Sequence, residues 1–154
     1  MTDEPSRVLR ASREIEAPAE RIFELIADPA QQPSWDGNDN LAEAESGQRV
    51  HAVGDVFVTT LLNGKIRENR IVEFEEGRRV AWLPAEVGKD APGHLWRWEL
   101  KPLGAERTEV THTYDWSALD LGDTRRVTRA RSTTTDGLRA SLDNLAKAAE
   151  LPQP

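Results

Sequence analysis

Three residues of this chain are suited to moving a proton, His94, His112 and Tyr114, and each lies in a stretch that alternates. In "HLWRWEL" (94–100), every second residue gives His94, Trp96, Trp98 and Leu100 on one side, against Leu95, Arg97 and Glu99 on the other. In "RTEVTHTYDW" (107–116) the same step brings Val110, His112, Tyr114 and Trp116 together. A period of two is strand geometry. A neutral imidazole near a phenol can serve as acid and base toward a substrate with an acidic C–H or a leaving oxygen. Burial among indoles would keep such a histidine neutral. The same groups can also simply orient a bound molecule by hydrogen bonds, and the residues favour that reading.

Other chemistries have less support. A zinc site needs three or four converging ligands; His94, His112 and Glu68 could supply three, but the register below leaves the two histidines diagonal. Cysteine is absent, so thiolate metal sites and disulfides are excluded. No "GxSxG", "GxxxxGK[ST]" or "GxGxxG" occurs. No metal and no cofactor is expected.

The elements that must position these residues follow from local signals. Residues 7–16 read as a first strand. Pro18 suits the first position of a helix carrying Ile22, Phe23 and Ile26; Pro29 ends it, and one more short turn leads to Trp35. "WDGNDN" (35–40) is loop chemistry, placed to gate a cavity mouth. Asn63-Gly64 is a two-residue hairpin signal. It pairs Leu62 with Lys65 and puts Phe57, Thr59 and Leu61 on one face with Ile66, Glu68, Arg70, Val72 and Phe74. A three-residue "EEG" loop then brings Val80 and Trp82 to that face. The odd-length loop "LGAER" (103–107) sets Trp98 opposite His112, Trp96 opposite Tyr114 and His94 opposite Trp116, an aromatic wall. From Asp123 to Leu151, the residues Val127, Ala130, Thr134, Leu138, Leu142, Leu145 and Ala149 mark one helical stripe. A kink is expected at 133–137, with Thr135 capping the second part.

The chain of 154 residues reads as one domain. Its net charge of −7 and pI of about 5.0 disfavour a nucleic-acid partner. The basic run "RRVTRAR" (125–131) reads as the solvated face of a helix rather than an anion site. The acidic, polar start "MTDEPSR" is unlike a signal peptide, and no apolar run is long enough to insert in a membrane. A cytoplasmic monomer or homodimer is the expectation.

One apolar sheet face must be covered, and the C-terminal helix is the element large enough to do it. Two outcomes are open. The tryptophans can interlock with the helix as a solid core, each buried ring contributing roughly 4–6 kcal/mol gross. Alternatively the wall bounds a ligand cavity, which the polar groups on it favour. The expected lining is Trp35, Phe57, Glu68, Arg70, Trp82, His94, Trp96, Trp98, His112, Tyr114 and Trp116, with Thr134 and Leu138 from the helix. Glu68 and Arg70 would then form an ion pair at the cavity floor, or Arg70 would meet a ligand carboxylate.

Taken together, "EIEAPAERIFELIAD", "WDGNDN", "GHLWRWEL", "THTYDW" and the closing helix resemble the START-like (SRPBCC) superfamily, closest to bacterial polyketide cyclase/dehydrase-like proteins, over about residues 7–150. The resemblance implies an α+β helix-grip fold: a curved antiparallel sheet of about seven strands wrapped around a long C-terminal helix, with two short helices after the first strand. It further implies an apolar cavity for a lipid- or polyketide-like molecule. A minority of such proteins catalyse cyclisation or dehydration, and no single catalytic motif unites them, so the role of His112, Tyr114 and His94 stays open between binding and acid–base chemistry.

Overall fold

In the computed structural model, which describes residues 7–36 and 41–150, the alternating stretches are strands and the helical tail lies across them. β1 (Val8–Ile15) leads to α1 (Ala19–Ala27) and a 3-10 turn (Pro29–Ser34). Six strands follow: β2 (Leu41–Glu43), β3 (Val56–Leu61), β4 (Ile66–Glu75), β5 (Arg79–Glu86), β6 (Leu95–Gly104) and β7 (Arg107–Asp115). The tail is α2 (Thr124–Arg131) and α3 (Thr135–Glu150). The strands form one curved, unclosed antiparallel sheet in the order β1-β7-β6-β5-β4-β3-β2. Six are full strands, and β2 is a three-residue fragment at the edge. This is the helix-grip architecture.

Local chemistry explains the helical pieces. Pro18 stands one position before α1, as its N-cap, and its carbonyl accepts the Ile22 N–H at 3.2 Å. Ile22, Phe23 and Ile26 are buried. The tail breaks at 132–134, and Thr134 is the cap of α3: its hydroxyl oxygen accepts the Gly137 N–H at 3.1 Å. The cap is therefore one residue earlier than Thr135. Leu138, Leu142, Leu145 and Ala149 bury the inner stripe of α3, against β1, β7 and α1.

Two register features correct the sequence reading. The β3–β4 loop has three residues, not two, because Thr60 pairs with Ile66 and the Leu61 N–H donates to the Lys65 carbonyl at 2.8 Å. Asn63 does not start a mirror-image two-residue turn. Its side-chain oxygen accepts the Lys65 N–H at 2.9 Å, and Gly64, at φ +83°, supplies the left-handed residue. A slip of one reverses the faces. Thr59, Asn69 and Ile71 are therefore buried inside with Phe57, while Glu68 and Arg70 belong to the outer face. Further along, Ile71 pairs with Trp82 but Glu73 pairs with Ala81, leaving Val72 as an inserted bulge residue. The bulge returns Phe74 to the inner side, where it meets Phe23 edge-on with centroids 5.7 Å apart.

Deleting Val72 should force the strand to give up either Ile71 or Phe74 from the interior. We expect a loss of about 3 kcal/mol or more in urea unfolding, against less than about 1 kcal/mol for Val72→Ala, which keeps the bulge. A deletion as stable as the parent would show that the bulge is dispensable.

Candidate functional site

The β6–β7 pairing is the expected one: Trp96 faces Tyr114 and Trp98 faces His112. The connection is tighter than "LGAER", since the strands continue to Gly104 and Arg107 with a register shift after Pro102. Rings from the two strands interleave along the pleat. Trp98 stacks on His112 at 3.6 Å and His112 on Trp96 at 5.5 Å; Trp96 meets Tyr114 at a 33° tilt and 4.3 Å, and Tyr114 stacks on His94 at 6.1 Å between centroids. Five rings thus form one ladder. Trp35 closes its Trp98 end edge-on at 5.0 Å, and Phe57 meets Trp82 edge-on at 5.3 Å. Gly93, at φ +122°, lets the chain before His94 press against Ala118, where an added Cβ would sit 2.7 Å from backbone atoms.

Beside this ladder lies a cavity of about 680 Å³. Trp35, Phe57, Trp82, His94, Trp96, Trp98, His112 and Tyr114 line it. Five expected residues do not. Glu68 is on the outer face, where its Oε1 accepts the Gly88 N–H at 2.7 Å. Arg70 is exposed on that same face, so no Glu68–Arg70 pair forms a cavity floor. Trp116 follows the end of β7 and is buried under the Arg7 guanidinium, 5.6 Å from the ring centroid. Leu138 is wholly buried in the core, and exposed Thr134 is occupied as the α3 cap.

Sequence reasoning missed Gln32, Thr59, Arg67, Asn69 and Ser141 on the wall, and Arg125, Arg126 and Arg129 of α2. The "RRVTRAR" run is therefore not merely a solvated face. Positions 125, 126 and 129 share one side of α2, which was the one available signal, but nothing local to a helix tells that a cavity lies beside it. Asp36 also lines the site; the rest of the expected gating loop, 37–40, lies outside the described residues.

The inner wall is polar without being charged. Asn69 Nδ2 donates to the Phe57 carbonyl and to Thr59 Oγ1, each at 3.2 Å, and Gln32 Nε2 donates to the Ile26 carbonyl at 3.1 Å. His112 Nδ1 lies 3.2 Å from the Arg97 carbonyl. A carbonyl only accepts, so Nδ1 carries the proton and Nε2 is the acceptor. Burial drives the His112 pKa down to about 3, with the carbonyl bond opposing. His94 Nδ1 is 2.8 Å from the Tyr114 hydroxyl. Burial lowers the His94 pKa, and Arg126, Arg129 and Arg67 act the same way, with Asp123 opposing. Tyr114 is pushed up to about 12 by burial, against a hydrogen bond from Thr133 and the charge of Arg129. At neutral pH the ladder carries no charge. Glu68 faces away, so it does not join the two histidines as a metal ligand, and the described residues hold no group of three His, Asp or Glu placed for a metal ion.

The buried His112 makes a pH prediction. Its folded pKa is depressed, so the unfolded chain binds the proton more readily as acid is added. Stability is full above about pH 6.5 and falls from there toward pH 3, by up to roughly 4–5 kcal/mol for a shift of this size. Urea unfolding between pH 7 and 4 should show a shallower decline for His112→Phe, which keeps the stack without the titration. Parallel curves would refute the assignment.

Comparison with known proteins places the chain among relatives. The family described as polyketide cyclase / dehydrase and lipid transport matches residues 6–150. Uncharacterized protein Rv0088 of Mycobacterium tuberculosis is 31% identical over 118 residues, which cover 74% of this chain and 49% of the mycobacterial protein. The chain thus spans about half the length of the curated relatives it matches. Protein NE0264 from Nitrosomonas europaea has the same fold, with a TM-score of 0.68 at 16% identity, over 94% of this chain and 95% of that one. DynU16, a protein in the dynemicin biosynthetic locus, gives 0.62 at 18% identity, over 95% of this chain and 48% of its own. At such identity a structure speaks for the fold alone.

Proposed function

Because the chain belongs to the polyketide cyclase / dehydrase and lipid transport family, we propose that its cavity binds one small, largely apolar or aromatic metabolite of lipid or polyketide type. The observation that carries this reading is the five-ring ladder bordering an open space of about 680 Å³ instead of interlocking with α3. That volume falls within the roughly 300–1,000 Å³ of small-molecule sites. Flat π faces with a few neutral hydrogen-bonding groups suit a fused-ring or unsaturated ligand, oriented by Tyr114 and His94.

A second reading, acid–base catalysis, draws on the 2.8 Å contact between His94 and Tyr114. His112 is the weaker candidate base. A histidine with a pKa of about 3 gives little driving force for removing a proton at neutral pH. A phenol held near 12 is better placed to donate a hydrogen bond to a ligand carbonyl than to deliver its proton. Binding is thus the favoured reading, with His94 and Tyr114 as the pair on which any chemistry would turn.

Titration with polycyclic phenols, flavonoids and fatty acids, followed by tryptophan emission, should show saturable quenching for at least one class. Trp96→Ala should weaken that binding by roughly tenfold or more, since a stacked ring contributes beyond its area. Silence across the panel, together with native mass spectra of the protein from its own host carrying no ligand, would refute binding. Tyr114→Phe separates the two readings. A catalyst would lose turnover with affinity little changed, whereas a binding protein has no turnover to lose.

A further inference from the structure

The cavity has two chemically distinct parts. Its inner wall is the uncharged ring ladder. Its charged lining has Lys65, Arg67 on β4 and Arg125, Arg126 and Arg129 on α2, against the carboxylates Asp36, Glu86 and Asp123, in a chain whose net charge is −7. Arg126 is engaged, holding Asp123 at 2.8 Å and reaching Glu86 at 3.7 Å. Among the described residues, no carboxylate stands within ion-pair distance of Arg67, Arg125 or Arg129.

Arg67 is the informative member. It is half-buried, and its Nη1 donates to the Ile66 carbonyl at 3.2 Å. Burial lowers its pKa, and the charges of Arg129 and Arg126 act the same way, with Glu86 opposing. Cations brought from a strand and a helix to one cavity opening repel each other. An anion between them reverses its sign. A guanidinium is suited to that role, because its planar fork can hold two oxygens at once.

We propose that the ligand is an amphipathic acid, with its apolar or aromatic body against the ring ladder and a single anionic headgroup, carboxylate or phosphate, held at the rim by Arg67 and Arg129. This rests on the cavity being the ligand site. Orientation follows from desolvation: an ionised headgroup pushed among the rings would lose its water without a cation to replace it, so it stays at the rim.

The test uses 1-pyrenebutyrate, 1-pyrenebutyl phosphate and the uncharged 1-pyrenebutanol, with binding read by energy transfer from tryptophan. At low salt at least one acid should bind about tenfold or more tighter than the alcohol. That advantage should shrink several-fold in about 0.5 M salt. The double variant Arg67→Gln/Arg129→Gln should abolish the advantage, bringing the acids down to the affinity of the alcohol. Without ligand it should melt at or above the parent temperature, because a repulsion has been removed. Preference for the butyrate assigns a carboxylate headgroup, and preference for the phosphate ester assigns a phosphate. Equal binding of acids and alcohol overturns this inference alone, as does an acid preference that survives the double variant. A double variant melting well below the parent makes the arginines structural and also overturns it. Failure of all three probes to bind overturns the cavity reading with it.

Discussion

The pairing of β6 with β7 is the constraint from which the site follows. With Trp96 opposite Tyr114 and Trp98 opposite His112, the pleat brings successive rings from alternate strands into contact. A shift of one residue would put the rings of one strand on the opposite face, parting His112 and Tyr114 from His94, Trp96 and Trp98. The rings stabilise the pairing, and the pairing lines up the rings. His112 shows the strength of the coupling, since the fold accepts a buried imidazole with its pKa near 3, stacked between two indoles and donating its Nδ1–H to a backbone carbonyl.

Self-stacking also explains why the space beside the ladder stays open. Each ring finds much of its van der Waals contact in the next ring, so the sheet does not need large helix side chains to cover it. The large residues of α3 are committed to β1, β7 and α1. Beyond the α2 arginines, what the tail turns toward the cavity is small and polar: Ser132, Thr133 and Ser141. Polarity then rises outward, from neutral hydrogen-bonding groups on the inner wall to arginines at the rim. This gradient would sort the two ends of an amphipathic molecule.

The middle of the sheet shows how far local patterns reach. Two departures from simple pairing, a three-residue loop at Leu62–Gly64 and a bulge at Val72, are each one residue in size and cancel. Phe57, Phe74, Val80 and Trp82 therefore point where unbroken alternation predicts. Only the residues between the two departures are reversed, which is why Arg67 and Asn69 stand at the cavity in place of Glu68 and Arg70. β4 gives little warning of this. Ile66 and Val72 mark one face and Ile71 the other, with charges on both, so neither face contrasts enough to set the register.

The strand alternation that makes the aromatic wall and the helix breaks at Pro29 and around Thr134 were legible in the residues, because steric and hydrophobic preferences act over a few neighbours; the α+β helix-grip class came from the resemblance to a known family. The structure alone decided which face β4 turns inward, that α2 presents arginines to the opening, and that a void remains at all. Those outcomes depend on backbone geometry at Asn63-Gly64 and Val72, and on how elements far apart in sequence meet. Empty volume is what packing leaves over, so no local stretch of sequence encodes it.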